Sequence, residues 1–394
     1  VTLGTPVQLF NWPALLQCPE RLGGIAGRGL FSYPEPHLMR LLFAAVLAAL
    51  AAAPMTFAQA KSPPAKDDRQ AQLDQIIQDF VKARREAAAE MRSAKTDQER
   101  KAAEAKLPKE ADFLPRVHQL IAGGQTDDVA AEALAFAVFG LDTKDEKVFA
   151  ALSKDFVKTD RIKRFVQMAS TGAPDAAKPV LEKVLAENSS KDLKGTACYA
   201  LGAMAFEKQG DAKAAQAAEA YFARVEKEFA DVKAGRSTLG EMAKGSLYEL
   251  RHLQVGMKAP PAESKNLKDE KVSLADYAGK VVVLDIWATW CGPCKAMIPH
   301  EREMAEKFKG KPFALISISA DDQKKELEEF LAHESMPWTH WWEGPDAALL
   351  KTWNVRFFPT IYVIDAKGVI RRKNIRGADL EKAVEELVAE AGKK

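Results

Sequence analysis

The run Cys291-Gly292-Pro293-Cys294 is where residue type and spacing point to covalent chemistry. It follows an apolar segment, Val281 to Trp287, that reads as a buried strand, and it opens a helical pattern, Pro293 to Phe308. A thiol at a helix N-terminus faces unpaired backbone N–H groups and the positive end of the helix dipole, and both favour its thiolate. In such motifs the first cysteine's pKa falls to roughly 3.5 to 7.5, against about 8.5 for a free thiol. Cys291 is therefore the expected nucleophile. Two intervening residues let Cys294 reach back within one helical turn, so a mixed disulfide at Cys291 is resolved by Cys294. Pro293 gives up only an N–H that has no intrahelical partner, and it stiffens the ring that the disulfide closes. Beyond this redox-active Cys291–Cys294 disulfide no cofactor is expected. A zinc site is not expected either, since the chain has no second C-x-x-C and His300, His333 and His340 lack a paired ligand spacing.

Four cysteines in 394 residues are too few for a disulfide scaffold. Cys198 lies in the apolar run Cys198-Tyr199-Ala200-Leu201 and reads as a small buried hydrophobe, whereas Cys18 lies upstream of a predicted export signal. Hydrophobic residues at 47% and charged residues at 28% fit a soluble globular protein. A net charge of +2 makes no electrostatic case for a nucleic-acid partner. Single cores stop growing beyond about 250 residues, so this length implies two domains and additional segments.

Met39 and Arg40 open a basic start, Leu41 to Ala53 form an apolar centre, and Ala58-Gln59-Ala60 supply an A-x-A site before the polar run from Lys61. That order predicts a signal peptide over residues 39–60, cleaved after Ala60, with a centre shorter than the roughly 20 residues of a membrane span. The expected location is periplasmic or otherwise extracytoplasmic. An uncleaved membrane anchor, extended through Pro54 to Phe57, is the alternative. Residues 1–38 are rich in Gly and Pro without a hydrophobic period. They are expected to be a disordered, non-native upstream segment, with Met39 as the first residue.

Residues 61–253 read as an α-helical domain after a Lys-, Ser- and Pro-rich linker, Lys61 to Lys66. Leu73, Ile76, Ile77, Phe80 and Val81 recur at helical spacing, as a helix buried on one side requires. Thr126, Asp127 and Asp128 offer N-caps to Ala130–Phe139, which Gly140 and Asp142 close; further helices span Asp175–Ala186, Lys194–Lys208 and Ala214–Phe229. Leu201, Gly202 and Ala205, the turn Gly210-Asp211, and Ala220, Tyr221 and Phe222 are similar to a tetratricopeptide hairpin. HEAT-type pairs and an irregular bundle fit equally, because no fixed period runs over three units. The composition changes around Gly256, Pro260 and Pro261. Residues 254–394 then alternate strands with helices: a hairpin and turn over 262–280, Val281–Trp287, Pro293–Phe308, Phe313–Ser319, Lys324–His333, a short strand near Trp338, Pro345–Trp353, Thr360–Asp365, Val369–Asn374 and Asp379–Ala391. The alternation predicts a mainly parallel sheet covered on both faces, ending in an antiparallel hairpin at Ala366-Lys367-Gly368.

The segment from Asp285 through Trp287, Trp290 and the dithiol to Lys295 closely resembles the active-site segment of the thioredoxin superfamily, and the likeness runs over residues 254–394, helix-kinking Pro299 included. The insertion from Ala320 to Trp353 and the leading hairpin are similar to the TlpA/ResA-type, redoxin-like branch of exported bacterial thiol-disulfide oxidoreductases. The helical half is similar to that of planctomycete-type exported thioredoxin-domain proteins. The resemblance implies a two-domain protein, all-α and then an α/β thioredoxin-like fold, that exchanges dithiol for disulfide. It also implies partners: exported thiol and disulfide proteins, and a membrane electron carrier that supplies reductant. Asp285 matches the buried carboxylate that takes and returns the second cysteine's proton; burial under the strand raises a carboxyl's pKa and suits it to act as a base near neutral pH. The alternative is an Asp that only hydrogen-bonds to local backbone. Phe358-Pro359-Thr360 resembles the family's cis-proline loop, which turns the backbone of Phe358 toward a substrate peptide, although an ordinary trans proline also fits. Trp290, Gly292, Pro293 and Phe358 are the expected substrate contacts, and Phe357 extends the apolar rim.

ResA-like reductases often carry a glutamate three residues after the second cysteine, where this chain has Met297. That makes a cytochrome-maturation role doubtful and leaves exchange untouched. Trp338, Trp341, Trp342 and Trp353 read as packing, with a substrate groove as the alternative, and the run from Lys324 to Glu329 reads as a solvated helix face. The rival function is a helical scaffold or protein-binding module beside a passive thioredoxin fold. Peroxide reduction is a weaker third reading, because such peroxidases use a Pro-x-x-x-Thr/Ser-x-x-Cys loop, while Ala288 and Asp285 precede Cys291 here. The Gly-Pro pair leans toward a reductant by family analogy.

Overall fold

A computed structural model of the protein describes residues 68–208, 210–344 and 348–393. The expected upstream segment, the signal at 39–60, Cys18, the linker Lys61–Lys66 and the start of the helix expected at Pro345 lie outside the described residues. Among the described residues no helix is long and apolar enough to cross a membrane. The chain divides into two compact units between Glu241 and Met242.

The first unit is helical: α1 (Asp68–Ser93), α2 (Asp97–Glu104), α3 (Glu110–Leu120), α4 (Asp128–Phe139), α5 (Glu146–Ala151), α6 (Lys163–Ala169), α7 (Lys178–Glu187), α8 (Lys191–Phe206) and α9 (Ala212–Glu228). Leu73, Ile76, Ile77, Phe80 and Val81 of α1 are buried, the stripe that their spacing predicts. Phe80 meets Phe113 and Phe136 edge to face, each at 5.4 Å. Asp127 caps α4, its Oδ1 accepting from the Ala130 N–H at 2.9 Å and from Arg69 Nη2 at 3.0 Å. A Cβ on Gly202 would lie 2.7 Å from the Phe222 ring, so glycine is what lets α8 and α9 approach this closely. A π turn at Leu152–Phe156 and 3-10 turns at Asp160–Ile162 and Asp175–Ala177 break the helical regularity. The stack is therefore irregular.

After a small hairpin, β1 (Lys233–Ala234) with β2 (Ser237–Thr238), helix α10 (Leu239–His252) leads into the second unit. The composition changes at residue 254, but the packing division falls earlier, within α10. Its half-buried Tyr248 and the following Leu253 pack in the core of the second unit with Trp341, Trp353 and Tyr362. A Cβ on Gly245 would come within 2.6 Å of Asn354 Oδ1, and Asn354 Nδ2 donates to Glu249 Oε2 at 2.7 Å. Glu249 is also bound by Lys373 Nζ at 2.8 Å and by Arg356 Nη2 at 3.4 Å.

The second unit is built on β3 (Glu263–Asn266), β4 (Lys271–Ser273), β5 (Val281–Trp287), α11 (Gly292–Lys307), β6 (Phe313–Ser319), α12 (Lys324–His333), β7 (Thr339–Trp342), α13 (Ala348–Thr352), β8 (Thr360–Ile364), β9 (Ile370–Lys373) and α14 (Gly377–Ala391). Sheet order is β4-β3-β7-β6-β5-β8-β9. The sheet is mixed rather than mainly parallel: only β5/β6 and β6/β7 run parallel, while β3/β4, β3/β7, β5/β8 and β8/β9 are antiparallel. Helices α11 and α12 are long enough to carry the chain back along the sheet. The five residues of α13 rise only about 7.5 Å, less than half the roughly 17 Å of a strand of that length, so β8 enters from the opposite end. Every residue of β5 is buried, because the sheet is covered on both faces. Val282, Leu284 and Ile286 face one cluster, whereas Val281 and Val283 face Met304 and Phe308 from α11 and Leu380, Val384 and Leu387 from α14.

Candidate active site

At the end of β5 the chain turns through Ala288, Thr289 and Trp290, and Cys291 becomes the N-cap of α11. Its Sγ accepts the Cys294 N–H at 3.2 Å, which occupies one of the unpaired donors of the first helical turn. Pro293 sits in that turn, where its missing N–H costs nothing. Cys291 and Cys294 are joined as a disulfide, with Cα atoms 5.3 Å apart. Both are buried in an apolar cluster with Trp287, Ala288, Ile298, Leu327 and Met336.

The turn before the dithiol is held by Asp321, a fully buried carboxylate just beyond β6. Its Oδ1 accepts from Thr289 N at 2.9 Å and Thr289 Oγ1 at 2.8 Å, and its Oδ2 accepts from Ser319 Oγ at 2.7 Å. Trp342 Nε1 donates to the Asp321 carbonyl at 3.0 Å, so one of the four clustered tryptophans positions this loop. Trp341 and Trp353 are core residues, and Trp338 Nε1 donates to Ser317 Oγ at 2.9 Å.

The Phe358–Pro359 peptide bond is cis. Thr360 Oγ1 donates to the Phe357 carbonyl and Arg376 Nη2 to the Pro359 carbonyl, each at 2.7 Å. Phe358 packs on the cluster that contains both cysteines, and its ring meets Trp290 edge to face at 5.6 Å. Trp290 and Phe357 are 39% and 44% exposed, which is unusual for large apolar side chains and leaves a rim beside the dithiol. A groove of about 630 Å³ adjoins it, lined by Trp290, Lys295, Glu326, Phe330, His333 and Glu334 among others.

Asp285 is 3% exposed, on the α11 side of β5. Burial pushes its carboxyl up to about 7, and a hydrogen bond with Ser317 opposes that rise. Met297 packs half-buried in the α14-side cluster. One helical turn further on, Glu301 is 1% exposed, and burial followed by the charge of Asp285 holds its carboxyl well above the usual range. The sequence reading missed both Glu301 and Asp321. Glu301 carries a legible signal, lying three residues beyond Ile298 and seven beyond Cys294, in helical phase with both. Among the described residues no cluster of His, Cys, Asp and Glu is arranged to hold a metal ion.

The sequence profile of the AhpC/TSA family matches residues 255–373. The thiol-disulfide oxidoreductase ResA of Bacillus thuringiensis subsp. konkukian is 28% identical over 136 residues, covering 34% of this chain and 78% of that protein. The thioredoxin-like protein YneN of Bacillus subtilis is 32% identical over 122 residues, covering 30% of this chain and 70% of that one. Among solved structures, a thiol:disulfide interchange protein DsbE from Chlorobium tepidum is 29% identical and covers 35% of this chain and 97% of its own, with a TM-score of 0.32.

Proposed function

From the premise that the chain belongs to the thioredoxin superfamily, in its TlpA/ResA-type branch, we propose that Cys291 attacks a disulfide in a partner protein and that Cys294 resolves the resulting adduct. The protein is a thiol-disulfide oxidoreductase. In the first step the Cys291 thiolate bonds to one partner sulfur and the other partner sulfur leaves as a thiolate. Cys294 then gives its proton to Asp285 and attacks Cys291. That closes the Cys291–Cys294 disulfide and releases the partner's second thiolate. The partner is reduced by two electrons and the dithiol is oxidised.

The observation that carries this reading is the Cys294 N–H directed at Cys291 Sγ at the mouth of α11, because a donor on that sulfur stabilises it as a thiolate. The exposed Trp290 and Phe357, with Phe358 at the cis-proline turn, supply an apolar rim for an extended peptide. Reduction is the proposed direction, in an extracytoplasmic compartment, with exported disulfide proteins as substrates and a membrane electron carrier as the source of reductant. Trapping tests the assignment of the two cysteines. Cys294→Ser exposed to exported proteins of its source accumulates adducts that are disulfide-linked through Cys291 and released by reductant. Absence of such adducts under mild oxidation contradicts it.

A further inference from the structure

Cys294, Ile298, Glu301 and Met304 form the buried face of α11. Ile298 belongs to the dithiol's apolar cluster and Met304 to the neighbouring one, so Glu301 enters where the two meet. From the sheet, Val283 and Trp287 belong to the same two clusters, and Asp285 lies between them. Two carboxyls, one from the helix and one from the strand, thus share an apolar junction. Asp285 Oδ1 and Glu301 Oε1 have no hydrogen-bond partner in the protein. Two ionised carboxylates are acceptors only; one can satisfy the other when one of them holds a proton.

We propose that Glu301 is a positioning residue for the exchange reaction, a protonated acid that donates to the Asp285 carboxylate and so sets the pH at which Asp285 takes the proton of Cys294. This rests on the roles given above to Asp285 and Cys294. Burial disfavours ionisation of both acids, and the charge of Asp285 raises Glu301 further, so Asp285 ionises first and Glu301 keeps its proton. The other titratable groups toward the pair are Cys291 and Cys294 at the start of α11 and His340 on β7, which is in register with Ser317 and so with Asp285. Burial keeps the His340 ring neutral near pH 7. From α14 the facing residues are Leu380, Val384 and Leu387, which carry no charge. When Cys294–SH passes its proton to Asp285–COO⁻, the products are a Cys294 thiolate and Asp285–COOH; Glu301 gains and loses nothing, and acts only by stabilising the anion beforehand.

The test is the pH profile of single-turnover reduction of insulin disulfides by the pre-reduced full chain, for wild type, Glu301→Leu, Glu301→Met and Glu301→Gln. Losing the donor moves the midpoint upward by about one pH unit in the Leu and Met variants, roughly a tenfold slower reaction at any pH below both midpoints. Glu301→Gln keeps an N–H donor and restores the midpoint. An unmoved midpoint in the apolar variants, an equal shift in all three, or a uniform loss at every pH overturns the proposal. A wild type without turnover removes the exchange reading and this role with it. If wild type turns over and Asp285→Asn is slow while the Glu301 variants keep the wild-type midpoint, the role of Glu301 alone falls.

Discussion

Asp321 Oδ1 accepts both the backbone N–H and the hydroxyl of Thr289, at 2.9 and 2.8 Å, across 32 residues of sequence. The end of β6 thereby fixes the turn that presents Cys291. Asp321→Ala removes the acceptor of the buried Ser319 hydroxyl and of the part-buried Thr289 donors, and a group left unsatisfied in the interior costs about 1–3 kcal/mol. The expected result is a lower urea midpoint together with about tenfold slower insulin reduction, since the sulfur proposed to attack loses its orientation. Asp321→Asn keeps an acceptor and falls between the two. Wild-type turnover in Asp321→Ala would remove the positioning role.

Asp285 makes stability depend on pH. Its carboxyl titrates at about 7 in the folded protein against an ordinary 3.8, so between those values the folded state holds a proton that the unfolded state has lost. Unfolding then releases that proton and folding stability falls as pH rises, levelling off above about 7. Relative to Asp285→Asn, the oxidised wild type is expected to lose melting temperature steadily from pH 4 to pH 7. Parallel curves for the two proteins contradict the assignment.

Glu249 and Lys373 pair with side chains only 11% and 6% exposed. Removing one partner of a buried pair strands the other and costs roughly 3–5 kcal/mol, whereas replacing both by apolar residues is often near neutral. Glu249→Ala should lower unfolding free energy on that scale, and Glu249→Leu combined with Lys373→Met should recover most of it. Chemical denaturation of the single and double variants measures the difference.

Cys198 is wholly buried on α8, and burial pushes its thiol up to about 12. It should resist iodoacetamide at pH 8 in the native protein and react once the chain is unfolded, as peptide mass mapping reports. Rapid native labelling would place it in a different environment.

Where residue type and burial agreed, the sequence was informative: Val281–Trp287, Phe313–Ser319 and Lys324–His333 are the strands and helix expected from their patterns. The sheet is less parallel than the alternation of strands and helices implies, because a helical pattern between strands need not be a crossover and α13 is too short to be one. Glu301 was legible from helical phase but not from residue type. A glutamate beside Arg302 and Glu303 reads as solvent-facing, and its burial follows from its phase with Cys294 and Ile298 rather than from its type. Asp321 sits in an Ala-Asp-Asp stretch that looks like an ordinary loop, and its partner Thr289 is distant in sequence. Position relative to the dithiol singled out Asp285 as a candidate because the residues around it resemble a known segment, and the structure buries it; no such pattern surrounds the other two acids.

Catalysed reduction of insulin disulfides in the presence of dithiothreitol tests the exchange activity most directly. Wild type should turn over and Cys291→Ser should fall to the dithiothreitol background. Equal rates for the two proteins would contradict the assignment of Cys291 as the attacking sulfur.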